Sequence, residues 1–522
     1  MAAPPSTPQV RLALVISGAV SLGAYEAGAL TGLLRLIRAS NGSIVVDTIA
    51  GASAGSITGL ILAHALLSGA GEDDLEELWV RLASIETMLK GRAKPGRPSA
   101  PLTTTALEDW AAGALARSGP QPIQTEPIAM VLSITNIRGL RYDLAQAIPG
   151  RTVQADTFRD ARAFLLEQGV NWADPMQTAL ASGANAFAFA PVRLDRHRSE
   201  YPPSVEFPKG DPAHFWYTDG GTVYNEPLGF AIDAITDPDA LQVQRPPQRL
   251  VDPDGKRLFL LVHPDPSAPP EVWPPGGGDP TFRSASLRAM TKLAPSQSAF
   301  DDLRRLEKTN SRILARWQVQ AALTTLLGRL SAEEGSEVVR RMAGVTVRRK
   351  VVVRSLTGGE IGADLQALAA AVDATEPLDP ATMFSLVDVA LDEASGTGSK
   401  DIIDVEVVSP ELDLEHRRPH DILAGEKMGH FFGFALSAAR ESDFGLGYGH
   451  FRLWWEAFRA MPPEGWQALP GIPVPAHPLE EKATGGELSL KDIGTWTKLR
   501  LAVRLGWRYL REVLRRAPKP PG

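Results

Sequence analysis

The sequence contains no cysteine in its 522 residues. That excludes a disulfide framework, a thiolate zinc site and a cysteine nucleophile together, and it fits a reducing compartment. Positive charge is in deficit: 54 Lys and Arg stand against 61 Asp and Glu, a net charge of −7. With no global positive field to collect phosphates, nucleic acid is not expected as the main partner. Long hydrophobic runs are missing as well. The best candidate, Ile57 to Leu67, is too short to span a bilayer, carries His64, and reads as a buried helix. Met1 to Gln9 is short, proline-rich and uncharged, without the basic segment and apolar stretch of a signal peptide. The expected location is the cytoplasm, with contact to a membrane surface left open. Histidine is sparse, and His416 and His420, four apart, are separated by Pro419. No metal site is expected from them, and Asp252-Pro253-Asp254-Gly255 reads as a turn rather than a calcium loop.

What is present suffices for a large core and more than one domain: 44% of the residues are hydrophobic and 22% charged. Short β-branched runs at Arg11–Ile16, Ile44–Ile49, Ile128–Ile134, Leu258–Val262, Val351–Val353 and Ile402–Val408 read as strands. They alternate with helical stretches, which predicts an α/β core with a mainly parallel sheet. Lys90–Pro101 reads as an exposed loop. His263–Pro280, with seven prolines, reads as a boundary before a helical second half that includes Ala299–Leu330 and Ile361–Val372. The expected division is a core over 1–265, a mainly helical insertion or cap over 266–400, a returning strand and aromatic helix over 401–460, and a tail over 461–522.

Chemistry concentrates at two places. Gly51-Ala52-Ser53-Ala54-Gly55 sits between an apolar strand and an apolar helix. The glycines Gly51 and Gly55 allow a sharp strand-to-helix elbow that presents the Ser53 hydroxyl beside free amides at a helix N-terminus. A serine so placed reads as an acyl-transfer nucleophile. The second place is Asp219-Gly220-Gly221, after the aromatic run Phe215-Trp216-Tyr217. Gly220 and Gly221 let the backbone fold beneath the aspartate, which can then act as a base toward a neighbouring serine if burial raises its pKa.

Together these motifs resemble the patatin-like phospholipase family. The likeness rests on Leu12–Gly18, Gly23–Gly28, the Ser53 elbow, Ala181-Ser182-Gly183-Ala184 with Phe189 and Pro191, and Asp219-Gly220-Gly221 with Asn225 and Pro227. It implies a patatin-like α/β sandwich with a helical C-terminal extension, and a Ser53–Asp219 dyad that cleaves phospholipid or lysophospholipid esters with no cofactor or metal. It also implies an oxyanion hole from the amides of Gly18, Ala19 and Val20. The sequence departs from the family here: the glycine tract reads Gly18-Ala19-Val20-Ser21-Leu22-Gly23, and Leu22 stands at a usually basic position, as in a bacterial subgroup with substituted tracts. If the family geometry needs a positive φ at Val20, a β-branched residue there is strained.

Two other readings stay open. The order Ser53, Asp219, His263 fits a hydrolase triad. A hydrolase-like scaffold that binds lipid or a protein partner without turnover fits the altered tract. The aromatic segment Gly429–Trp455 is either core packing or a wall of an acyl-chain pocket. The end of the chain is basic and amphipathic: Lys491–Gly522 holds nine Lys or Arg, with Trp496, Leu499, Val503, Trp507, Leu510 and Leu514 on one helical stripe. Such a helix either docks on the domain or lies in an anionic membrane surface.

Overall fold

The structure is a computed structural model. It describes residues 10–90, 100–145, 152–248, 255–264, 294–356, 362–395, 405–413, 423–427, 431–462 and 471–483, together with 98, 251–252, 403, 488, 503, 506 and 507. The sequence-predicted loop at Lys90–Pro101, the boundary at His263–Pro280, His416 with His420, and the basic tail lie wholly or mostly outside the described residues.

Two compact units are present, Met1–Asp302 with Asp404–Gly522, and Leu303–Ile403. The first is built on a sheet whose central strands are buried on both faces, which demands apolar residues throughout rather than in alternation. Strands β1 (Val10–Ile16) and β2 (Ile44–Ala52) meet that demand, and all nine residues of β2 are buried. With β3 (Ile128–Ala145), β8 (Gly255–Val262) and β9 (Val405–Val408) they run in the order β3-β2-β1-β8-β9, every neighbouring pair parallel. Antiparallel strands extend one side: β4 (Thr152–Leu166) and β6 (Ala213–Thr218) pair with β3, and β5 (Val192–Arg196) pairs with β6; a short β7 (Val251–Asp252) pairs antiparallel with β8. The fold is mixed α/β with a parallel centre, as the strand–helix alternation implies.

Helix α1 (Gly23–Ala39) joins β1 to β2, and α2 (Ala54–Ser68) leaves the end of β2. Helices α3 (Thr105–Leu115), α4 (Ala173–Ser182) and α5 (Leu228–Thr236) follow. The last long helix of this unit, Ser437–Ala460, lies along α1 with backbones nearly touching. A methyl group at Gly28 would lie 2.0 Å from the Phe444 carbonyl oxygen, and one at Gly447 equally close to that of Tyr25. Phe444, Phe451, Trp454 and Trp455 are buried in the main core. Most of the aromatic segment therefore packs the fold.

The second unit is helical, with helices Ala332–Leu356, Ala363–Asp373 and Pro380–Ser395 around their own core of Val339, Ala343, Val347, Leu386 and Val387. This corrects the strand expected at Val351–Val353, which forms the end of the Ala332–Leu356 helix. Val339, Ala343 and Val347 recur every four residues as a buried stripe, and that packing overrides the β preference of three consecutive valines. Among the described residues no helix is long and apolar enough to cross a membrane.

Candidate active site

The elbow at Ser53 is sharp enough to strain the chain. Ser53 has φ 49° and ψ −120°, a region L-residues avoid, and α2 begins at the next residue. Its amide is held by the Ser182 hydroxyl at 2.9 Å, which itself donates to the Ser133 carbonyl at 2.6 Å. Ser56 Oγ lies 2.7 Å from the same hydroxyl. Ser182 thus ties the Ser53 elbow, α4 and β3 into one corner. Ser182 belongs to the block Ala181-Ser182-Gly183-Ala184, whose spacing carries no mark of this role.

Ser53 Oγ donates to Asp219 Oδ2 at 2.9 Å, across 166 positions of sequence. Both side chains are buried, at 6% and 5% exposure. The second carboxylate oxygen of Asp219 accepts the Gly221 amide at 2.8 Å, and the Asn185 side chain also hydrogen-bonds the carboxylate. The loop is pinned behind the aspartate, whose amide donates to the Ala184 carbonyl and whose carbonyl accepts from Thr135 Oγ1 at 2.7 Å. Burial pushes the Asp219 carboxyl up from 3.8 to about 6, against the opposing pull of the hydrogen bonds from Ser53, Gly221 and Asn185. A carboxyl near 6 is a far better base than one near 4, and still ionised at neutral pH.

His263 is placed beside Glu226. It ends β8, its amide donates to Val408, and its ring faces Glu226, Nε2 to Oε1 3.6 Å. The Asp219 carboxylate instead accepts from Ser53 and Gly221, an arrangement that favours the dyad over the triad.

The first loop passes directly over Ser53. A methyl group at Gly18 would sit 2.9 Å from Ser53 Cβ and 2.3 Å from Asn225 Oδ1. The Gly18 amide, expected in the oxyanion hole, instead donates to the Asn225 carbonyl at 3.1 Å, and Asn225 Nδ2 returns a bond to the Gly18 carbonyl. This corrects Gly18 as a donor and leaves Ala19 and Val20 from the expected set. Val20 takes φ 52°, the positive value that strains a β-branched residue.

Ser53, Asp219 and Val20 open into a narrow cavity of about 80 Å³ lined almost wholly by apolar side chains. Ile57 and Leu60 from α2, Trp79, Leu107 from α3, Met176 and Leu180 from α4, and Phe434 form its walls. One residue of the aromatic segment therefore does serve a pocket wall. Among the described residues no group of three His, Asp or Glu side chains is placed to hold a metal ion.

Residues 14–232 match the family model described as patatin-like phospholipase, a span that runs from β1 into α5 and includes Ser53 and Asp219. No curated protein matches the chain. Among solved structures, that of VipD from Legionella pneumophila aligns over 98% of this chain and 93% of its own, at 10% identity and a TM-score of 0.23. That score is too low to relate the two folds.

Proposed function

From a chain whose residues 14–232 carry a patatin-like phospholipase domain, of a lipid hydrolase family, we propose a serine acyl hydrolase that works through Ser53 and Asp219. The observation that carries this reading is the 2.9 Å hydrogen bond from Ser53 Oγ to a buried Asp219 carboxylate, at the mouth of an apolar cavity. An ester's acyl chain enters the cavity and its carbonyl carbon meets Ser53 Oγ. Asp219 takes the hydroxyl proton as the C–O bond forms. The oxyanion develops toward the Ala19 and Val20 amides and the N-terminus of α2. Collapse of the tetrahedral intermediate expels the alcohol, which leaves with the proton from Asp219. A water then gives its proton to Asp219 as it attacks the acyl-serine, and collapse returns that proton to the departing Ser53 Oγ and releases the fatty acid. The apolar cavity and the family favour phospholipid or lysophospholipid as substrate.

The test is fatty-acid release from phospholipid and lysophospholipid by the full chain, beside Ser53→Ala and Asp219→Asn, with labelling by a fluorophosphonate. Release and labelling that both vanish in Ser53→Ala support the reading. Wild-type protein that neither labels nor releases fatty acid is instead a binding scaffold, the alternative suggested by the substituted glycine tract.

A further inference from the structure

Arg440, in the first turn of the Ser437–Ala460 helix, is only 4% exposed. Its Nε donates to the Val80 carbonyl at 3.0 Å and its Nη1 to the Phe434 carbonyl at 2.7 Å. Among the described residues it forms no ion pair. Burial pulls its pKa down, and Glu86 and Glu441 act on it only from beyond ion-pair range. A buried guanidinium bonded to neutral carbonyls is costly, so something must be gained from fixing those two carbonyls together.

The two carbonyls belong to the two walls that press on the first loop. Val80 lies in a π-helical segment, Glu77–Leu82, a rare geometry that recurs frequently at functional sites. Its neighbour Trp79 lies against Gly23, where a methyl group would be 2.3 Å from the indole. Phe434 lies in the turn Phe431–Ala435, whose Gly433 rests on Ser21, where a methyl group would lie 2.3 Å from the Ser21 hydroxyl. Trp79 and Phe434 both line the cavity with Val20 and Ser53. Between Ser21 and Gly23 on one side and Ser53 on the other, Val20 holds its φ of 52°. A β-branched residue stays in that conformation only where its surroundings over-determine it.

We infer that Arg440 is a positioning residue for the oxyanion loop. By tying Val80 to Phe434 it clamps the Trp79 and Gly433 walls onto Gly23 and Ser21, just after Val20, and keeps Val20 strained in place. The inference rests on the acyl-hydrolase reading for its kinetic consequence, but not for its structural one.

The experiment is a cycle between Arg440→Met and Val20→Gly in the full chain, read on a soluble short-chain ester with active sites counted by fluorophosphonate. Arg440→Met lowers kcat by about 10²-fold while KM stays within about twofold, the pattern of a lost oxyanion donor. In the Val20→Gly background the same change costs less than about threefold, because glycine adopts positive φ unaided. A general loss of stability would not be relieved selectively by that glycine. Arg440→Lys, whose single ammonium serves one carbonyl at a time, falls between and carries the cycle if the methionine variant does not fold. Equal losses in both backgrounds, or none in either, overturn the clamp. A crystal structure of the Arg440 variant decides without turnover: Val20 relaxed to negative φ is expected, and Val20 unchanged refutes it. Full esterase activity in Ser53→Ala would sink the hydrolase reading and leave this structural outcome standing.

Discussion

Val20 and Ser53 hold φ values of 52° and 49° on two loops that line one cavity, so both walls of the site are strained in the same sense. Backbone strain of this kind costs about 1–3 kcal/mol per residue and gathers where a fold spends stability on function. Ser53→Gly and Ser53→Ala both delete the hydroxyl, but only glycine relieves the elbow. Ser53→Gly is therefore the more stable of the two by about 1 kcal/mol after the entropic penalty of glycine. Urea denaturation of the pair measures it. An alanine variant as stable as the glycine one would show that the elbow stores no strain.

The proposed Ser53–Asp219 dyad predicts a specific ranking of variants. Ser53→Ala and Asp219→Asn each lower fatty-acid release by about 10⁴-fold or more, whereas His263→Ala stays within about threefold of wild type. His263 faces Glu226 rather than the serine, so its loss removes no proton acceptor. A dead His263→Ala protein that is folded and still carries Ser53 would return the case to a triad.

Much of this site was legible from local pattern. The strand-to-helix change of period around Gly51–Gly55 and the glycines after Asp219 mark two loops at strand ends, and parallel strands bring such ends together. Less legible was anything decided by packing over long range. The Gly18 amide is consumed by Asn225, more than 200 positions away, and no spacing rule reports which of several adjacent amides is already bonded. Likewise β4 was unreadable as a strand because its TVQADTFRD stretch is mostly polar and partly exposed, as an antiparallel flank allows. The valines at Val351–Val353 misled for the converse reason, since strand preference measures fit to a half-buried sheet and these residues continue a helix.

If the acyl chain of the proposed substrate fills the apolar cavity, its length preference is adjustable. Ala111, on α3, is a small side chain in its lining. Ala111→Phe fills that end, so kcat/KM for long-chain esters falls by about tenfold or more relative to short-chain esters. A series of p-nitrophenyl esters reads the ratio, and a length profile that does not move would place the acyl chain elsewhere.

Lys491–Gly522 carries nine Lys or Arg against two Asp or Glu. If it docks on anionic lipid, each cation near the surface adds about 1 kcal/mol and the attraction weakens with salt. Deletion of Lys491–Gly522 then lowers sedimentation with anionic vesicles while hydrolysis of a soluble ester persists. Unchanged vesicle binding assigns the basic stripe to solvent.

The pH dependence follows from Asp219, whose carboxyl burial raises to about 6. In the proposed mechanism the base is the carboxylate, so kcat/KM is expected to rise with pH through about 6 and level off above it. Asn185 hydrogen-bonds the charged form, which lowers the pKa; Asn185→Ala therefore moves the acid limb above 6. Stability runs the other way. Between the ordinary 3.8 and about 6 the native carboxyl keeps a proton that the unfolded chain releases, so its contribution is full below 3.8 and is lost as pH rises through 6. The loss amounts to about 3 kcal/mol, at 1.36 kcal/mol for each pH unit between the two values. Asp219→Asn removes it, and the variant's thermal stability falls less than that of wild type from about pH 4 to about pH 7. Parallel curves for the two proteins would mean that Asp219 is not held near 6, and that the base of the proposed mechanism is weaker than its burial implies.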